Sequence, residues 1–540
     1  MKDLARVLTG MALATGLLSL ALQSTPAFAE NEVRHVLLLS VDGFHAVNLE
    51  NCIAKGTCPN LKKLSEHGLT YTNASTTKPS DSFPGMLAQF TGGTSKSTGV
   101  FYDDSYDRTL YTPLCASGPG AEVKLDESTE FNKASIDGGK AGSLTGLNAG
   151  VAIDPDHLPG QKAGGPCTAL WPHNFVRTNT VFGVLHKHGI QTAWSDKHPS
   201  YDIINGNKPA TPVNGPGTNV DDFFAPEINS DLSAANITLI HSAGLSSTEP
   251  DPTPVSGKDF TGTIAGVEWY DGIKVQATLN QINGYDHTGN PKKYRGTPAL
   301  FGMNFQAVSV GQKLACCGYT DPVATPSAGL LDAIKFVDRS IGQMVGALNK
   351  RGLADKTLII ISAKHGQSAI DVSKRKTLDD SAVIAAPIGA NFAFDIGDDG
   401  VLIWLKKNSG TKTADAVDAL NDFAGDTDIG EWLSGPLLPL SYQDPAHDSR
   451  TPDIIGIAKI GVIYTGGSKL AEHGGFNEDD THVALLVSHQ DLKEGSINAA
   501  VATTQIAPTI LKVLGLNPQE LEAVRLEGTQ VLPGLYTEKE

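Results

Sequence analysis

The chain has 540 residues, with 59 acidic against 42 basic side chains and a formal net charge of −17. That excess supplies no general attraction to duplex nucleic acid or to an anionic membrane, so any anionic ligand has to be held by a locally positive site. The length exceeds that of a usual single domain, but apolar strand-like runs are spread through the chain. One large domain with insertions, residues 30–540, is therefore expected.

Residues 1–29 carry Lys2 and Arg6, then a short apolar run broken by Gly and Ser, then Ala27-Phe28-Ala29. This is the order of a cleavable secretory signal and is too short for a spanning helix. The mature protein is thus expected to be exported, periplasmic or extracellular, with no membrane anchor. Six cysteines agree with an oxidising destination. Cys52 and Cys58 are close enough to clip one loop, Cys115 and Cys167 could close a long one, and Cys316 and Cys317 are adjacent.

The first strand reads as "HVLLLSVDGF", residues 35–44, and places Asp42 directly after the apolar run, to bind a cation or to cap the next turn. Next, Pro79 and Pro84 bracket Ser82, and "PGMLAQFTGG" reads as a short helix. A hydroxyl at a helix N-terminus is a good cap; it is also well placed as a nucleophile, because the free amides and the helix dipole favour an anion. Further strands are expected at 190–194, 297–305, 357–363, 452–458 and 482–488, the runs of an α/β protein with a mostly parallel sheet between helices.

After the strand at 190–194, "SDKHPSYD" puts Asp196, Lys197 and His198 where they can enter the same cleft. Long stretches rich in Gly, Asn, Asp and Pro fill 101–178, 200–265 and 372–395, and are expected above the carboxyl ends of the strands or as surface loops. Leu330, Ile334, Val337, Ile341, Val345 and Leu348 mark the face of a long helix that Gly352 ends. The strand behind it, "TLIIISA", delivers Lys364 and His365. His473 lies in the Gly-rich turn "EHGGF", and "TTQIAPTILKVLG" forms a closing helix. Asp286 with His287, and Asp480 with His482, read as turns and caps.

The order of these motifs resembles the type I phosphodiesterase/nucleotide pyrophosphatase family of the alkaline phosphatase superfamily, through most of residues 34–515. The resemblance implies an alkaline-phosphatase-like core, a Ser or Thr nucleophile and two divalent cations, commonly zinc. Position by position it makes Ser82 the nucleophile and Asp42, Ser82, His365 and His473 the ligands of any metal retained. Two departures stand out. Lys364 takes the place of the Asp in the family's Asp-His-Gly, and the segment that should hold an Asp four residues before a His offers Val308 and Gln312. The first cation would keep His473 alone, and the second would face an ammonium group, so the two-metal mechanism does not transfer as it stands.

Lys364 carries the same formal charge as the Asp plus a divalent cation together. It is therefore expected to pair with Asp42 and replace a metal, with Ser82, His365 and His473 in the catalytic roles. The substrate class is a phosphorylated or other anionic small molecule, and the alternative is a catalytically silent exported protein that binds such a ligand. A sulfatase-like activity is weaker, because "SFPGM" lacks the Arg of the sulfatase motif.

Overall fold

The computed structural model describes residues 33–535 except 163, 210–211, 291–294, 424–426 and 466. The expected leader, 1–29, lies outside the described residues. The principal sheet has eight strands: β1 (His35–Val41), β2 (Gly68–Tyr71), β3 (Ala193–Ser195), β4 (Asp222–Phe224), β5 (Leu300–Phe305), β6 (Thr357–Ser362), β11 (Leu486–Ser488) and β12 (Gly495–Ile497). Their spatial order is β12-β2-β11-β6-β1-β5-β3-β4. β1 lies at the centre, paired in parallel with both β5 and β6, and β11 is the strand that runs antiparallel to its neighbours.

The alternation of β1 explains why it is central. Leu37, Leu39 and Val41 pack on one side with α2 (Ile264–Ile282) and α3 (Ala328–Arg351); Val36 and Leu38 pack on the other with α1 (Ser82–Thr91) and α4 (Ile506–Val513). Every one of these strand residues is fully buried. Each contributes roughly 1.5–3 kcal/mol of transfer free energy, which only a sheet covered on both faces can collect. The long helix is as expected: Ser327 caps its N-terminus and Gly352, at φ 63°, ends it.

Three expectations need correction. The run at 452–458 does not join the main sheet. It forms β10 (Ile454–Ala458) in a separate antiparallel sheet with β7 (Phe392–Gly397), β8 (Gly400–Leu405) and β9 (Ile429–Ser434), in the order β7-β8-β10-β9. An apolar run shows that a strand is buried and says nothing about which sheet buries it; here Phe101, Tyr102, Trp404 and Phe476 cover one face, with Ile403, Ala416 and Leu420 on the other. The run at 190–194 forms a regular strand only from Ala193 on, with a single bridge from Thr192 to Leu300, and that at 482–488 only from Leu486 on, with single bridges from His482 to Ser75 and from Val483 to His45. All three cysteine pairs form disulfides: Cys52–Cys58, Cys115–Cys167 and Cys316–Cys317.

Candidate active site

Five elements converge at the carboxyl end of the sheet. Asp42 follows β1, Asp196 and Lys197 follow β3, Gln306 follows β5, and Lys364 and His365 lie just past β6. Helix α1 brings Ser82 from the side. Asp81, not Ser82, caps this helix: its Oδ2 accepts from the Phe83 amide at 3.1 Å. The Ser82 hydroxyl is thereby released from the capping role that sequence alone allowed it. Gly85 fixes the approach, since a Cβ there would stand 2.1 Å from the Lys364 carbonyl oxygen. Only a residue without a side chain lets α1 rest on that backbone and hold Ser82 beside His365.

Ser82 Oγ accepts a hydrogen bond from Lys197 Nζ at 3.1 Å and lies 3.3 Å from His365 Nε2. The carbonyl of Gly366 is 2.7 Å from His365 Nδ1. A carbonyl can only accept, so Nδ1 carries the proton and Nε2 presents its lone pair to the serine. Asp42 Oδ2 is 3.5 Å from the same Nε2, 3.2 Å from Lys364 Nζ and 3.7 Å from Lys197 Nζ. Its two oxygens also accept from Asn304 at 2.7 Å and Gln306 at 2.6 Å. Lys364, fully buried, donates to Tyr201 at 2.8 Å and lies 3.8 Å from Asp196.

Charge follows from this geometry. Burial opposes ionisation of Asp42, but the Lys364 ammonium, with Lys197 and with His365 when that ring is protonated, holds its carboxyl well below the usual range. The His473 ring stacks on His365 with centroids 3.9 Å apart, and its Nδ1 lies 3.3 Å from Asp81 Oδ1. Burial first, then His365 when protonated and the Lys313 ammonium, push His473 well below the ordinary imidazole value, so it is neutral.

The two cations that the resemblance implies do not fit this arrangement. Both oxygens of Asp42 face N–H donors, and His365 Nε2 faces Ser82. Of the two positions that the resemblance sets against the family's Asp and His, Val308 is buried in the apolar core, and Gln312 donates its amide to the Gly43 carbonyl at 2.6 Å. A cation would have to displace an ammonium and two amides from one carboxylate.

A cleft of about 460 Å³ opens beside the constellation, bordered by Phe83, Lys197, Gln306, Lys313 and His473 from the core. Its other wall comes from the insertions at 101–178 and 200–265, through Asp103, Asp126, Glu127, Asn229 and Thr261. Burial raises Asp103 well above the carboxylate range, whereas Lys313 and Lys469 counter burial at Glu472 and hold it down to about 2. Lys133, Lys197, Lys313 and Lys469 share its border with Asp103, Asp126, Glu127 and Asp259; Lys133 pairs with Glu127, and Lys313 and Lys469 pair with Glu472, so Lys197 beside Ser82 is the cation placed to meet an anion.

The remaining polar groups separate. Asp196 accepts from Trp194 at 2.8 Å. His287 pairs with Asp222 at 2.6 Å inside the scaffold, Asp286 holds Thr288, and His482 Nε2 lies 3.0 Å from the Thr72 carbonyl. His198 turns away from Ser82 and places Nδ1 2.8 Å from Glu227 Oε2, close to Glu130. Glu130 and Glu227 lie in motif-free insertions, and no sequence signal marked them.

This site on this sheet defines the class. The chain belongs to the type I phosphodiesterase/nucleotide pyrophosphatase family, whose family model matches residues 36–484. The fold is alkaline-phosphatase-like. Murine ectonucleotide pyrophosphatase/phosphodiesterase 5 superposes with a TM-score of 0.54 at 12% identity, covering 90% of this chain and 96% of that one. An inactive variant of that enzyme, in complex with AMP, matches with the same figures. Alkaline phosphatase PafA superposes with a TM-score of 0.59 at 16% identity, covering 91% and 97%. No curated protein sequence matches the chain. Among the described residues, no helix is long and apolar enough to cross a membrane.

Proposed function

We propose that residues 30–540 form a single exported unit, a phosphoryl-transfer hydrolase of the phosphodiesterase/nucleotide pyrophosphatase type with Ser82 as nucleophile. One observation carries the reading: a serine hydroxyl at the positive end of a helix, with an ammonium 3.1 Å away and an imidazole nitrogen 3.3 Å away, at the border of an open polar cleft. Ser82 Oγ attacks phosphorus and passes its proton to His365 Nε2. The imidazolium so formed lies 3.5 Å from the Asp42 carboxylate. The bond from phosphorus to the leaving oxygen breaks, and that oxygen departs with the electron pair and the proton held by His365; water then attacks the seryl phosphate and gives a proton to neutral His473, while Ser82 Oγ leaves with its electron pair and regains a proton from His473 by way of solvent.

Lys197 stabilises the Ser82 alkoxide as it develops. Lys364 serves a step further back. Buried between Asp42, Asp196 and Tyr201, it supplies the charge that the family's Asp and cation would supply and keeps Asp42 ionised. The AMP complex of the murine neighbour supports a phosphorylated small molecule as the substrate class.

A second reading, an exported protein that binds a phosphorylated ligand without turnover, is favoured by the closed ion pair of Lys364 and Asp42. Hydrolysis of chromogenic phosphodiesters and monoesters by the mature chain, with Ser82→Ala beside it, decides between them. Turnover that Ser82→Ala abolishes supports the hydrolase. No turnover by the wild type, with phosphate binding retained in Ser82→Ala, supports the binder.

A further inference from the structure

Glu130, His198 and Glu227 make a second cluster, each at most 6% exposed, and one ligand atom from each lies within 4.8 Å of the other two. His198 follows β3 and immediately follows Lys197, Glu130 comes from the 101–178 insertion, and Glu227 from the 200–265 insertion. His198 Nδ1 is 2.8 Å from Glu227 Oε2, and the Asn229 amide donates to Glu227 Oε1 at 2.7 Å.

Glu130 is the anomaly. Its side chain is buried, yet no hydrogen-bond donor reaches either of its carboxylate oxygens. Gly138, at φ 64°, passes close to it; a Cβ there would stand 2.9 Å from Glu130 Oε2. The charged groups that act on it most strongly, Glu227, Glu127 and Asp126, are all acidic. No nitrogen or hydroxyl donor reaches this buried carboxyl group, and its neighbour is the Glu227 carboxylate, so without a cation the pair is held together by a proton, which a divalent ion can displace.

We propose that Glu130, His198 and Glu227 bind a divalent transition-metal ion such as Zn²⁺, at a site separate from Asp42 and Ser82. Two carboxylates and a divalent cation sum to zero charge, which removes the conflict between Glu130 and Glu227. The imidazole selects against Ca²⁺ and Mg²⁺, which prefer all-oxygen cages, and three protein ligands leave a fourth position open. The ion ties both insertions to the end of β3, where Lys197 starts, and so braces the cleft wall opposite Ser82. The site stands whether or not Ser82 is a nucleophile.

The test uses the mature chain, stripped with a chelator and titrated with Co²⁺ followed by visible absorption, and with Zn²⁺ followed by calorimetry. One equivalent should bind, with the d–d bands of a low-coordinate nitrogen and oxygen site and a higher melting temperature. Glu130→Gln, close to isosteric, and His198→Ala should each weaken binding by at least about 100-fold, while Asp42→Asn and Ser82→Ala bind as the wild type does. Circular dichroism checks that each variant is folded, and Glu227→Gln replaces either one that is not. No stoichiometric binding by the wild type overturns the proposal. Binding that survives Glu130→Gln and His198→Ala, or that is lost in Asp42→Asn, overturns it too.

Discussion

The surroundings of Asp42 and of Glu130 use nearly the same materials, buried carboxylates beside a histidine, and resolve them in opposite ways. Asp42 is held by two lysines and two amides and stays ionised. Glu130 faces a second glutamate, receives no donor, and is pushed well above the carboxylate range by burial first and then by Glu227. The comparison teaches that a buried acid needs its positive charge from somewhere. Around Asp42 it is built into the chain; around Glu130 and Glu227 it has to come from solution.

Ser82→Ala is the hardest blow to the first region, because it removes the hydroxyl that both Lys197 Nζ and His365 Nε2 face. Turnover of a chromogenic phosphate ester should fall at least about 10⁴-fold with the fold intact by circular dichroism. Lys364→Met removes the built-in charge. It leaves Asp42 buried with a weakened set of partners, and urea denaturation should show a loss of roughly 3–5 kcal/mol. A variant as stable as the wild type would mean that Lys197 alone compensates Asp42. Lys197→Met should spare the fold and lower kcat about 10²–10³-fold, the usual cost of losing one preorganised donor at a developing oxyanion.

The smallest effects are in pH, and the two regions should differ in sign. Asp42 has a lowered value in the folded state. Its stabilisation is therefore complete above the ordinary carboxylate value and is lost as pH falls through the lowered one. Glu130 has a raised value. In metal-free protein its contribution is complete below the ordinary value and is lost as pH rises through the raised one. Urea stability of the stripped protein, followed from acid to mildly alkaline pH, should lose part of its acid-side slope in Asp42→Asn and part of its alkaline-side slope in Glu130→Gln, each at most about 1.4 kcal/mol per pH unit. Equal slopes in both variants would erase the contrast between the regions.

Much of the scaffold was legible from local pattern. β1, β5 and β6 announce themselves as apolar runs because a strand buried on both faces has no polar position to spare. The long helix is marked by its three- and four-residue steps and by Gly352. Less visible was the sheet to which a run belongs, as β10 shows, because the same side chains satisfy any apolar surroundings. Ser82 was ambiguous for a similar local reason: a serine next to a helix start reads as a cap until Asp81 is seen to fill that place.

The sequence by itself determined the family and the central strands and showed a lysine directly before His365, because these depend on residue type and order along the chain. Only the tertiary structure decided which ammonium touches Ser82, since Lys197 and Lys364 both follow core strands and differ only in where their side chains reach. The meeting of Glu130, His198 and Glu227 was decided there as well. These residues are far apart in the chain and lie in or beside segments without periodicity, so their proximity arises only when two insertions fold over the same end of the sheet.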